Sequence, residues 1–168
     1  TSIASAAYYG SLQYAKERKQ GRIISNKDIS QPQVPIIQHA DVKRMLLFQK
    51  SIVEGCLSLL LQCSKYEDFS LHGPENERND YALLLDLLTP IAKTYPAEMG
   101  ILTTSAAIQI HGGYGYTRDF AAEKYFREMR IHTLHEGVTA IHGLDLLGRK
   151  VTMKNGQAVM LLMQAVMT

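Results

Sequence analysis

Three glycines in a short polar and aromatic stretch are the first candidate for chemistry. The stretch covers residues 109–116 and reads QIHGGYGY, between two segments with helical periodicity. Because glycine has no Cβ, backbone built from it can approach a bulky anionic ligand closely. The stretch lacks the Lys-Ser/Thr pair of a phosphate loop and does not follow a strand, so neither nucleotide-binding fingerprint applies. From composition alone, a plain helix–helix turn explains these glycines better than a ligand site.

A single carboxylate, Glu136, is the second candidate. It stands directly before Gly137, at a break between two helical patterns, where a side chain can be aimed inward. In an apolar pocket a carboxylate gains proton affinity, which suits it to take a proton from carbon. For an isolated glutamate, a solvated helix end is the more common environment.

Metal and nucleophile chemistry have little support in the sequence. His132, His135 and His142 flank Glu136, but their spacing differs from the HExxH zinc pattern, and no Glu-x-x-His pairs indicate a di-iron bundle. No Ser-His-Asp order is evident either. A basic cluster at Arg18, Lys19 and Arg22 ends the first helical pattern, where basic residues complement the helix dipole and a phosphate site is the rarer explanation.

Composition limits the function classes further. The 168 residues fit one domain, and 46% hydrophobic with 20% charged residues predicts a folded globule. A net charge of +2 is too small to predict nucleic-acid binding. No apolar run approaches the roughly 20 residues of a membrane span. Cys56 and Cys63 lie seven residues apart in an apolar stretch and are predicted to be reduced core thiols, which favours a cytoplasmic location.

Helical periodicity predicts the elements that must position these residues. A stripe at Ile3, Ala7, Gly10 and Tyr14 predicts a helix over about 2–20. A buried seam that includes Gln49 predicts a second, long helix over about 38–70. A third helix is predicted from a cap at Asn79 or Asp80 to about 111, with a kink or split near Thr89. Three shorter helices are predicted after it, over 118–134, over 138–150 and within 151–168. No sustained alternation of period two appears, so the sequence predicts an all-α antiparallel four-helix-type bundle with short extra helices.

Three motifs in sequence order resemble a known family. YAKERKQGR at 14–22, QIHGGYGYTRDF at 109–120 and EKYFREMRIHTLHEG ending at Gly137 resemble the carboxy-terminal helical domain of acyl-CoA dehydrogenases. The resemblance covers about residues 1–150. It is strongest to longer bacterial members, in which a segment like LDLLGRK at 144–150 leads into a further C-terminal region, so 151–168 is predicted to be a tail leading there.

The resemblance implies an enzyme. Family members hold FAD, take an acyl-CoA thioester and oxidise it to the α,β-enoyl-CoA, with electron-transfer flavoprotein as the electron acceptor and homodimers or homotetramers as the assembly. Glu136 matches the family's catalytic base. In the family an amino-terminal helical domain and a middle β-domain cover the flavin and the thioester, so residues 1–168 alone are expected to be inactive.

The resemblance also implies a cofactor site. Arg18, Gln20, Gln109, Gly112 and Gly113 match positions near the FAD of a neighbouring subunit. A guanidinium and bare glycine amides suit a pyrophosphate.

The sequence departs from the family pattern around the base. His135 replaces a tyrosine, Val138 replaces a threonine that faces the flavin phosphate, and His142 stands where a glutamine is common. Thr139 is the candidate substitute for the lost hydroxyl. A protonated imidazole at His135 would stabilise the ionised form of Glu136.

Two other functions remain open at this point. In one alternative, the bundle of this chain is a non-catalytic dimerisation or scaffold domain. In the other it belongs to a flavin-dependent oxidase or monooxygenase. Retention of Glu136 favours the dehydrogenase over the scaffold.

Overall fold

The computed structural model describes residues 1–23 and 30–167, and these residues confirm the all-α prediction. They contain no β-strand, only an isolated antiparallel bridge between Lys19 and Pro35. The predicted connection after the first helix falls partly on residues 24–29, which lie outside the described residues. The helices are α1 (Ser2–Glu17), α2 (Ala40–His72), α3 (Arg78–His111), α4 (Ala122–Ile131), α5 (Thr139–Asp145) and α6 (Gln157–Met167).

The chain divides into two compact units that are not continuous in sequence. The first unit comprises Thr1–Glu54 and Met99–His132, and the second comprises Gly55–Glu98 and Thr133–Thr168. Each unit has a hydrophobic core of its own.

The core of the first unit is formed by small and aliphatic side chains of α1, α2 and α3. Its buried members from α1 are Ala4, Tyr8 and Ala15. The predicted stripe on α1 is confirmed at Ala7, which is buried, but Gly10 is exposed and Tyr14 is only half-buried. Periodicity alone does not choose between neighbouring apolar stripes, whereas close packing favours the one rich in alanine.

The predicted seam of α2 is confirmed at Gln49, which is fully buried. Its side-chain amide donates hydrogen bonds to the carbonyl oxygen of Thr103, at 2.9 Å, and to the hydroxyl of Ser11, at 3.4 Å. A buried amide needs such partners, because desolvation without a hydrogen bond costs on the order of 1–3 kcal/mol.

Helix α3 runs unbroken through Pro90 and Pro96, so of the predicted kink or split near Thr89 the split is wrong. Each proline removes one N–H from the helix ladder, but the helix continues on both sides of it. The cap at Asn79 or Asp80 is also wrong, because α3 begins at Arg78. The first N–H groups instead donate to the carbonyl oxygens of Pro74 and Glu77.

The core of the second unit joins α3 to the last helix. Leu83 and Leu87 of α3 pack with Ala158 of α6, which is fully buried. Lys150 is also buried, and its ammonium donates to the carboxylate of Asp86. Burial lowers the pKa of Lys150. The tail predicted over 151–168 therefore packs on α3 through α6.

Two observations on α2 bear on the sequence predictions. Cys56 is buried and Cys63 half-buried, both are free thiols, and burial raises the pKa of each. The helix also satisfies a length-and-composition criterion for crossing a membrane, with a mean hydropathy of 1.3 over an 18-residue window that is 33% buried. Its Met45, Leu46 and Val53 contribute to the core of the first unit, as core-helix residues do.

Candidate functional site

The three glycines that follow α3 have three different structural roles. Gly112 has a φ of +61°, a left-handed conformation that ends the helix and begins a short 3₁₀ turn over Gly112–Tyr116. A Cβ on Gly115 would lie 2.5 Å from the carbonyl oxygen of Ile108, so packing requires glycine there. A Cβ on Gly113 would meet no atom within 4 Å, and its φ is not positive. Neither conformation nor packing within the first unit therefore requires glycine at position 113.

The segment after α1 places Arg18 and Gln20 against this turn. The backbone N–H of Gln20 donates to the carbonyl oxygen of Val34 at 3.0 Å. The backbone N–H of Ile36 donates to the carbonyl oxygen of Arg18 at 2.8 Å. The His39 ring donates from Nε2 to the carbonyl oxygen of Gln20 at 2.7 Å. These bonds fix the backbone of the segment, so its side chains are presented from a defined position.

Two adjoining cavities in the first unit bring the predicted cofactor residues together. Their volumes are about 370 and 400 Å³, and both are lined by Arg18, Gln20 and Gly112. The first is also lined by Gln109 and the second by Gly113. Five of the six residues predicted to bind FAD therefore line one continuous surface.

Aromatic rings form the wall of these cavities. The Arg18 guanidinium lies 5.6 Å from the ring centroid of Tyr114. Tyr14 stacks on His111 with centroids 4.3 Å apart and donates its hydroxyl to the His111 carbonyl oxygen at 3.3 Å. Burial lowers the pKa of His111, although its Nδ1 donates to the carbonyl oxygen of Ala107 at 2.7 Å. The wall is thus an aromatic surface that carries one fixed cation, Arg18.

Glu136 lies in the turn between α4 and α5, in the second unit. Its φ is 55°, in the left-handed region that non-glycine residues rarely adopt, and Gly137 follows with a φ of 96°. The Glu136 side chain is 84% exposed, so the apolar pocket expected around the base is not formed by the described residues. The reason is local, because a carboxylate on a turn between two helices protrudes unless another surface covers it.

The side chains next to Glu136 in sequence are also exposed. His135 Nδ1 lies 4.0 Å from Glu136 Oε2, the outer limit of an ion pair, and 43% of the His135 side chain is exposed. Val138 precedes α5 at the N-cap position and offers no side-chain hydrogen bond to the helix. Screening by water weakens the charge interaction that an imidazolium at position 135 would supply.

Thr139, the sixth predicted cofactor residue, is the first residue of α5 and belongs to the second unit. Its hydroxyl donates to the carboxylate of Glu98 on α3. The structure therefore does not place Thr139 among the five residues that line the cavities of the first unit.

Two residues near Glu136 carry no signal in the sequence. Lys93 of α3 donates from Nζ to the carbonyl oxygen of Gly137 at 2.5 Å, and Glu98 accepts the Thr139 bond. Both are ordinary charged residues on a helix, and only the tertiary fold brings them to the turn. Among residues 1–23 and 30–167, no group of three His, Cys, Asp or Glu side chains has the arrangement of a metal site.

Comparisons with known proteins agree on one family. The family description "Acyl-CoA dehydrogenase, C-terminal domain" matches residues 1–151. The chain is 40% identical over 153 residues to a butyryl-CoA dehydrogenase of Syntrophomonas wolfei, covering 90% of the chain and 25% of that protein. It is 38% identical over 156 residues to the 3-methylmercaptopropionyl-CoA dehydrogenase of Ruegeria pomeroyi, covering 93% and 26%. The chain thus spans about a quarter of the length of these curated relatives.

Two further comparisons concern the fold and a partner. The solved butyryl-CoA dehydrogenase of Megasphaera elsdenii superposes with a TM-score of 0.69 at 21% identity, over 87% of this chain and 32% of that one, which shows the shared fold. A more distant relative, 28% identical over 146 residues with 87% of this chain and 32% of that protein covered, is the CarC subunit of the caffeyl-CoA reductase–Etf complex of Acetobacterium woodii. On the match over residues 1–151 and the 40% identity, the chain belongs to the acyl-CoA dehydrogenase family.

Proposed function

We propose that this chain is part of an FAD-dependent acyl-CoA dehydrogenase that oxidises an acyl-CoA thioester to the α,β-enoyl-CoA, with Glu136 as the base. The observation that carries the proposal is the Glu136 turn. A carboxylate at the position that matches the family's base lies on a turn held by side chains of α3 and α5, with its oxygens exposed to an incoming ligand. A scaffold domain would have no need of a strained turn at this position.

The residues of the first unit fit the phosphates of a flavin dinucleotide. Arg18 supplies a fixed positive charge with a planar donor fork, which suits a pyrophosphate. Gly113 supplies backbone beside the same cavity, and a Cβ there would project into open space that a ligand can fill. By the family resemblance, Arg18, Gln20, Gln109, Gly112 and Gly113 hold the FAD of a neighbouring subunit. Their gathering on one surface supports that assignment.

Bound FAD would supply the acceptor for the hydride that leaves the β-carbon. The role of this chain is to remove the α-proton. Glu136 takes that proton on a carboxylate oxygen, and the electron pair of the broken C–H bond forms the α,β double bond as the β-hydride departs. Because Glu136 is exposed in this chain, the apolar surroundings that raise a carboxylate's proton affinity must come from the substrate and from other parts of the protein.

Partners and location of the whole protein are proposed on the same basis. Curated relatives act on acyl-CoA thioesters, and one is a subunit of an Etf complex. We therefore propose an acyl-CoA substrate and electron-transfer flavoprotein as electron acceptor. We also propose a homodimer or homotetramer in which the cavity residues of one subunit bind the FAD of its neighbour. We propose a cytoplasmic location, no membrane span, no nucleic-acid partner, and a further C-terminal region after residues 151–168.

The test uses the full-length protein with bound yellow flavin. Glu136→Gln should lower acyl-CoA oxidation by two orders of magnitude or more, since the amide cannot accept the α-proton. The exposed Glu75→Gln is the matched control and should keep wild-type activity. Full activity in Glu136→Gln would refute the base assignment. Fast reaction of the reduced enzyme with oxygen would indicate an oxidase instead.

A further inference from the structure

The turn that carries Glu136 is held by two side chains whose donors meet two successive carbonyl oxygens. The His142 ring, on α5, donates from Nε2 to the Glu136 carbonyl oxygen at 3.1 Å. The Lys93 ammonium, on α3, donates to the Gly137 carbonyl oxygen at 2.5 Å. We propose that Lys93 and His142 are positioning residues that fix the backbone from which the Glu136 side chain projects, an inference that rests on the proposed function of Glu136 as the base.

The turn needs such support because its conformation is unfavourable. A non-glycine residue in the left-handed region is strained because its Cβ lies too close to the following carbonyl oxygen, and Glu136 has a φ of 55°. It persists only where surrounding groups favour it over relaxed alternatives. Since the Glu136 side chain is 84% exposed, the packing of its own carboxylate contributes little to that preference. The hydrogen bonds to the turn's carbonyl oxygens therefore contribute to holding its backbone in this conformation.

The two donors approach from different elements. Lys93 is half-buried on α3, and its charge strengthens the bond to a neutral carbonyl. His142 lies six residues after Glu136, and its ring fills the space beside Gly137, where a Cβ would lie only 2.8 Å from Nε2. The turn is thus hydrogen-bonded to side chains of both α3 and α5, which restricts the orientation of the two peptide groups whose carbonyl oxygens accept these bonds.

A third bond anchors the helix that carries His142. The Thr139 hydroxyl donates to the Glu98 carboxylate, so the first residue of α5 is tied to α3 five residues after Lys93. Because Lys93 and Glu98 both belong to α3, the turn and the start of α5 are hydrogen-bonded to the same helix. A small displacement of a catalytic group costs about a hundredfold in rate, so this support has a kinetic consequence.

The residue type at position 142 makes the inference testable. A carbonyl oxygen accepts equally from an imidazole N–H and from an amide N–H. His142→Gln therefore retains a donor, whereas His142→Leu removes it at similar volume. For Lys93, methionine retains the aliphatic stem without the charge. Lys65, an exposed lysine of α2 in the same unit, offers the matched control Lys65→Met.

The experiment measures proton abstraction apart from hydride transfer in the full-length, flavin-loaded protein. An acyl-CoA whose β-carbon bears no hydrogen is incubated in D₂O, and deuterium gain at the α-carbon is followed by mass spectrometry. His142→Leu and Lys93→Met should each slow this exchange and lower kcat about tenfold or more, with KM nearly unchanged. His142→Gln and Lys65→Met should keep both values near those of the wild type, with flavin content equal in all variants.

Each remaining outcome has a defined meaning. Wild-type exchange in both His142→Leu and Lys93→Met would overturn the positioning role while leaving the base intact, provided that Glu136→Gln abolishes exchange. Full exchange in Glu136→Gln would overturn the proposed function itself. If one of the two variants His142→Leu and Lys93→Met loses its fold, the other decides: slow exchange in the folded variant supports the proposal, and wild-type exchange in it overturns the proposal. Slow exchange in folded His142→Gln would also overturn it, because that variant retains the donor.

Discussion

The cavities of the first unit and the Glu136 turn of the second unit prepare their functional groups in different ways. In the first unit, Arg18 lies against the exposed ring of Tyr114, beside a glycine turn fixed by packing at Gly115. In the second unit, Glu136 is 84% exposed, and hydrogen bonds hold only its backbone. The first arrangement is a surface that suits the proposed flavin phosphates. The second fixes the backbone that carries one carboxylate, whose surroundings must be completed by other groups.

Among changes that leave Glu136 itself in place, the largest expected effect comes from Gly137. An added Cβ would meet His142 Nε2 at 2.8 Å at a φ of 96°, so Gly137→Ala must displace the ring or the turn. We expect kcat of the full-length protein to fall by about two orders of magnitude, with FAD affinity unchanged. Steady-state kinetics and flavin titration measure both. Gly148→Ala, where an added Cβ meets nothing within 4 Å, is the control. A loss of FAD without a loss of kcat in the bound enzyme would contradict the comparison.

Gly115 tests the packing of the first unit. In Gly115→Ala the Cβ would lie 2.5 Å from the Ile108 carbonyl oxygen, and backbone cannot move away as a side-chain tip can. The free energy of unfolding should fall by about 1–3 kcal/mol. Gly55→Ala is the counterpart at an exposed position of α2, where an added Cβ meets nothing within 4 Å. There the free energy of unfolding should rise by about 0.5–1 kcal/mol. Denaturant unfolding compares them. Equal stability of the two variants would show that the turn relaxes freely.

Arg18 tests whether the cavity surface binds the flavin phosphates. Arg18→Ala should weaken FAD binding about tenfold, because a hydrogen bond to a charged group contributes about 1.5–3 kcal/mol and this site is partly open to water. Arg18→Lys should lose less, since it keeps the charge without the planar fork. Fluorescence of released flavin gives the dissociation constant. Lys16→Ala, an exposed change in the last turn of α1, should leave it unchanged.

The smallest effect is a pH dependence of stability in the first unit. Burial lowers the pKa of His111 below its ordinary value of 6.5. The unfolded chain therefore takes up a proton near pH 6.5 that the folded chain takes up only at lower pH, so stability falls as the pH drops below 6.5. Thermal unfolding at about pH 7.5 and about pH 5.5 should show this loss. His111→Phe should make the loss smaller, and an unchanged loss would assign it to other groups.

The sequence determined the elements and the identity of the chemical groups. The apolar seam of α2 follows from residue spacing. Four of its positions are buried as expected, namely Leu46, Gln49, Val53 and Cys56. The family motifs, read in order, predicted Glu136 as the base and singled out five residues that line the cavities. These features are local or short-range, and local patterns encode them directly.

Other features were decided only by the tertiary structure. The prolines did not split α3, because packing of side chains such as Leu83, Leu87 and Ile110 stabilises the helix against the loss of single hydrogen bonds. The buried face of α1 was set by which stripe packs closely. The role of Lys93 follows from a contact 44 residues away in sequence, at Gly137. The exposure of Glu136 likewise depends on which surfaces cover a turn, and residue order alone does not specify long-range contacts of this kind.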